Sequence, residues 1–78
     1  MTLGQRISLY RKKLNISQEE LGARLGVSRQ AVSKWETGTA DPSTSNLLAL
    51  AKLFGISAEE LLRSVESAEN SREREETP

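Results

Sequence analysis

Apolar residues recur at helical spacing in five runs along the chain, and a small polar residue stands just before each run. In the first, Leu3, Ile7, Tyr10 and Leu14 fall within an arc of about 60° at 100° per residue, and Thr2 with Gln5 can form a capping box. The spacing predicts a helix over residues 3–13. Ser17 with Glu20 opens a second over 18–25, carrying Leu21 and Leu25 on one face and stopped by Gly26. Ser28 opens a third over 29–37, whose Ala31, Val32 and Trp35 share one side while Arg29, Gln30, Ser33, Lys34 and Thr37 share the other. Ser43 opens a fourth over 44–54, and Gly38 and Gly55 close the third and fourth. Ser57 with Glu60 opens a fifth over 58–65, with a stripe of Ala58, Leu61, Leu62 and Val65.

A hydrophobic staple recurs at three of these starts: Ile16 with Leu21, Val27 with Val32, and Ile56 with Leu61. The fold class is therefore all-α, a five-helix domain over residues 1–65 without a sheet. The fourth helix, with Leu47, Leu48, Leu50, Ala51, Leu53 and Phe54, has little polar circumference and is expected at the centre. Residues 66–78, ESAENSREREETP, contain no apolar residue larger than alanine and are expected to form an acidic, disordered tail.

Two short helices across a glycine turn, SQEELGARLGVSRQAVSKWE from Ser17 to Glu36, make a helix-turn-helix. Gln18, Leu21, Gly22, Leu25, Gly26, Val27, Val32 and Trp35 sit where that motif places its opening polar residue, its small packing residue, its turn glycine and its apolar contacts. Together with the following proline and NLLALAKLFGISAEELL, the pattern over residues 3–65 resembles the Cro and phage-repressor type of DNA-binding domain.

Charge sharpens this reading. The 78 residues carry eleven basic and eleven acidic side chains, but residues 1–65 hold nine basic against six acidic, and 66–78 hold two against five. The excess concentrates further in residues 1–34, where Arg6, Arg11, Lys12, Lys13, Arg24, Arg29 and Lys34 face only Glu19 and Glu20. Such a half suits a polyanionic partner. The absence of cysteine and histidine removes disulfides, thiolate chemistry, the usual zinc sites and the commonest general base, so neither an enzyme nor any cofactor or metal is expected. No apolar run reaches membrane-spanning length and no signal-peptide order opens the chain, which makes the cytoplasm the expected location, in a bacterial or phage setting as the resemblance implies.

A helix fits the DNA major groove and reaches base edges with its first residues, where arginine pairs with guanine O6 and N7 and glutamine with adenine N6 and N7. Arg29 and Gln30 hold those places; Ser33 and Lys34 follow one turn on. Only two residues precede the first helix, so reading is expected from the major groove alone.

The resemblance adds further expectations. Gln18 would bind a phosphate and brace Arg29. Arg11 and Glu36 would join the first and third helices; Arg11 lies about 40° round from Ile7 and Glu36 about 40° round from Val32, edge positions that alone would favour two solvated charges. A two-fold symmetric double-stranded DNA operator would be bound by a weak homodimer meeting through the fifth helix. Two departures stand out. The loop TGTAD lacks the family's usual basic residue, leaving Thr39 or backbone N–H groups to touch phosphate with Asp41 opposing, and Gly22 replaces the usual alanine, which permits close helix packing but costs about 1 kcal/mol in helix propensity. The competing class is a protein-interaction module using the third or fifth helix. Such a surface would display apolar or aromatic anchors, and the outer face of the third helix has none.

Overall fold

The computed structural model describes residues 1–63. Four helices run α1 (Leu3–Lys13), α2 (Gln18–Leu25), α3 (Arg29–Thr37) and α4 (Thr44–Phe54), and a fifth helical segment, α5, occupies residues 58–63. No strand is found among the described residues. Val65 and the acidic segment 66–78 lie outside them.

Each start is fixed by a side-chain oxygen accepting an otherwise orphaned N–H of the first turn: Thr2 from Gln5, Ser17 from Glu20, Ser28 from Ala31, Ser43 from Asn46 and Ser57 from Glu60. At α1 the box is reciprocal, since the Thr2 N–H donates to Gln5 Oε1 at 2.9 Å. At α2 the carboxylate of Glu20 instead takes a 2.8 Å hydrogen bond from Arg24 one turn on, because opposite charges four residues apart attract. Gly26 ends α2 in the left-handed conformation at φ 78°, and the Val27 N–H turns back to donate to the Gly22 carbonyl at 2.8 Å.

The core consists of Ile7, Ile16, Leu21, Val32, Trp35, Leu50, Ala51 and Leu61. Ile16 and its staple partner Leu21 are both buried. Among α1–α4 it is α3, not the more apolar α4, that takes the central place, packing extensively on both α1 and α2. A chain this short cannot surround α4 on every side, and Leu48 is left 56% exposed. Leu14 falls one residue past α1 as its cap and is likewise exposed. The tie between α1 and α4 is aromatic: Tyr10 stacks on Phe54 with centroids 5.2 Å apart, and the Arg6 guanidinium lies over the Tyr10 ring at 5.4 Å.

Gly22 has a role that propensity alone does not reveal. A Cβ there would meet the Val27 carbonyl oxygen at 2.6 Å, so the missing side chain is what lets α2 close onto the turn.

Candidate nucleic-acid interface

The inner stripe of α3 is seated by Val32, with no exposed surface, and Trp35, 5% exposed, and that anchoring fixes what its opposite face presents. Arg29, Gln30 and Lys34 are exposed there and Ser33 is half-buried. None of the exposed large apolar residues among the described residues lies on α3, so the face offers a protein partner no anchor. Arg29 sits at the first helical position, where the helix dipole disfavours a cation, and no acidic residue accompanies it in that turn. Its placement works slightly against helix stability and leaves its charge without a partner on the same turn.

Arg11 and Glu36 join α1 to α3. Arg11 Nε donates to Glu36 Oε2 at 2.6 Å and Nη2 to Oε1 at 3.2 Å, with side chains only 12% and 8% exposed. Arg11 Nη1 donates to the Ile16 carbonyl at 2.8 Å, and Gln18 Nε2 donates to Glu36 Oε1 at 3.0 Å. One carboxylate thus gathers donors from α1 and α2 and holds them against the last turn of α3. The Gln18 contact departs from the expected brace on Arg29: Glu36 lies seven residues along α3, about 10 Å down its axis. The sequence held no sign of it, because only packing decides which end of α3 faces the start of α2.

Thr39 is exposed, and its backbone N–H turns back on α3. Its N–H donates to the Lys34 carbonyl at 2.9 Å, as does that of Ala40 at 3.2 Å, and the Gly38 N–H donates to the Trp35 carbonyl. Thr37 Oγ1 lies 3.3 Å from the Lys34 carbonyl and 2.9 Å from Thr39 Oγ1, and either hydroxyl of that pair can be the donor. The Thr39 N–H is spent closing α3, and exposed Asp41 adds a negative charge nearby. Gly38 at the C-terminal cap, left-handed at φ 83°, permits this tight closure.

Three comparisons place this geometry among known proteins. A family model described as "Helix-turn-helix" matches residues 7–61. Repressor protein C2 of Salmonella phage P22 is 46% identical over 61 residues, which are 78% of this chain and 28% of that protein, so the chain spans little more than a quarter of its length. An uncharacterized HTH-type transcriptional regulator of Methanocaldococcus jannaschii is 39% identical over 56 residues, 72% of this chain and 85% of that protein. The crystal structure of the P22 c2 repressor protein in complex with a synthetic operator superposes with a TM-score of 0.76 at 44% identity, covering 81% of this chain and 96% of that one.

Proposed function

For a chain that belongs to the helix-turn-helix family, in its Cro and phage-repressor branch, we propose the function of a sequence-specific, double-stranded DNA-binding transcriptional regulator acting as a repressor. The observation that carries this reading is the outer face of α3: polar, basic at its first turn, free of apolar anchors and rigidly seated by Val32 and Trp35. The operator-bound structure of a 44% identical relative supports it. Arg29 and Gln30 read base edges, Ser33 lets the helix sit deep, and Lys34 reaches a neighbouring base or phosphate. Gln18, its amide held by Glu36, keeps a second N–H for a phosphate at the start of α2.

Selection from a randomised duplex pool tests the reading; recovery of no enriched sequence would overturn it. On the preferred site, Arg29→Ala is expected to cost roughly 1 to 3 kcal/mol and to relax discrimination at one base position, leaving a scrambled duplex affected only through the lost charge. Equal losses on both duplexes would transfer the reading role to Gln30.

The protein binds a two-fold symmetric operator as a weak homodimer that DNA consolidates, meeting through the fifth helix at half-buried Leu62, whereas Leu61 of the expected stripe has no exposed surface and belongs to the core. Half-sites are then expected about 34 to 36 Å apart. A selected site without symmetry, occupied by one protomer in analytical ultracentrifugation, would remove the dimer. The protein works where such DNA lies, in the cytoplasm.

A further inference from the structure

The loop after α3 turns the N–H groups of Gly38, Thr39 and Ala40 back on the helix and carries no basic side chain, so a cationic hold on the DNA backbone has to come from elsewhere. A cleft of about 570 Å³ opens between α1 and the junction of α2 with α3, and its lining includes Gln5, Ser8 and Lys12 of α1 with Gln18, Glu36 and Thr37. Spacings of three and four residues place Gln5, Ser8 and Lys12 in one row along α1. The chemistry of the cleft favours an anion. Its one carboxylate, Glu36, is already matched by Arg11 through two hydrogen bonds and is bonded by Gln18. Lys12 is exposed and forms no ion pair among the described residues. Gln5 uses its carbonyl oxygen on the Thr2 N–H, so its amide hydrogens face outward, and Ser8 adds a hydroxyl.

We infer that this cleft is a second backbone seat, in which Lys12, assisted by Ser8 and Gln5, holds a DNA phosphate next to the one at Gln18. The inference rests on the DNA-binding reading and assigns α1 a contact role that neither periodicity nor the helix-turn-helix motif indicated. Gln18 belongs to both walls, so the same amide links the α1 seat to the start of α2. A phosphate held there fixes register and depth of insertion without contributing sequence preference.

The test is a salt titration of binding to the preferred duplex and to a scrambled one, comparing wild type, Lys12→Ala and Lys52→Ala. Lys52 carries the same charge but lines a separate groove with Arg24, Leu25, Ala49 and Leu53. All three proteins are expected to keep the same helical circular dichroism, since both lysines are exposed. Lys12→Ala should weaken both duplexes alike, roughly 5- to 10-fold near 0.1 M salt, and lower the slope of log affinity against log salt by about 1, while Lys52→Ala leaves the slope unchanged. Ser8→Asp should reproduce the loss by setting a negative charge in the same row. An unchanged slope for Lys12→Ala in a protein that binds its preferred duplex overturns the seat and leaves the DNA-binding reading standing. Equal slope changes for both lysine variants overturn it as well, because a diffuse field would then explain them. A wild type that binds neither duplex removes the DNA-binding reading and the seat together.

Discussion

Glu36→Gln is expected to cost about 3 to 5 kcal/mol in urea denaturation, the range for breaking a buried ion pair by removing one partner. The size follows from what is left behind. The Arg11 guanidinium, 12% exposed, loses its counter-ion, and the new amide offers one acceptor oxygen where the carboxylate offered two, so its N–H either faces the donor-only Arg11 or requires the Gln18 amide to turn over. Domains of this size have stabilities toward the low end of about 5 to 15 kcal/mol, so half or more of the total is at stake. Replacing both partners by apolar residues of similar volume should cost less than either single change, though the Ile16 carbonyl and Gln18 would still lose their partners. A loss below about 1 kcal/mol for Glu36→Gln would mean that the pair is solvated in solution and contributes as surface pairs do.

Gly4→Ala is expected to lose about 3 kcal/mol, the upper end of what overpacking usually costs. A Cβ on Gly4 would lie 2.3 Å from the Trp35 carbonyl oxygen and 2.6 Å from that of Glu36. Neither atom belongs to a side chain that could rotate away, so relief requires α1 to move off α3 as a body. That movement would also pull Arg11 from Glu36. Gly38→Ala provides the contrast: at φ 83° with nothing within 4 Å of the added carbon, it carries only the strain of a left-handed alanine, about 1 to 2 kcal/mol. Thermal denaturation of the two variants side by side checks the ranking, and a Gly4→Ala protein as stable as wild type would show that the α1–α3 approach is looser than the geometry requires.

The sequence located the helices well because each boundary carries its own local chemistry. Thr2, Ser17, Ser28 and Ser43 cap the first four starts, and Gly26, Gly38 and Gly55 close three ends, so the limits of α1 to α4 follow from residues a few positions apart. The polar face of α3 was legible for the same reason, since its periodicity is internal to the helix. What depended on how helices lie across one another was not. That α3 and not α4 occupies the centre reflects the size of the domain; that Gln18 serves Glu36 and not Arg29 reflects the crossing of α2 on α3. The closure of Thr39 onto Thr37 and Lys34 reflects the path of a loop that no periodicity describes. Gly22 was legible as a small packing residue with a propensity cost, but the group it lets in, the Val27 carbonyl, was not, because propensity does not count it.

The division of α3 into a seated stripe and an outward row bears on how such a regulator changes over time. Val32 and Trp35 carry the packing, whereas Arg29, Gln30 and Lys34 stand in solvent. On the proposed reading, substitutions in the outward row would alter the preferred operator at little thermodynamic risk, while those in the stripe endanger the whole protein whatever they do for recognition. A lineage built on this helix is free to acquire new targets one exposed residue at a time, and a designer can vary those three positions in a library and expect nearly every member to fold.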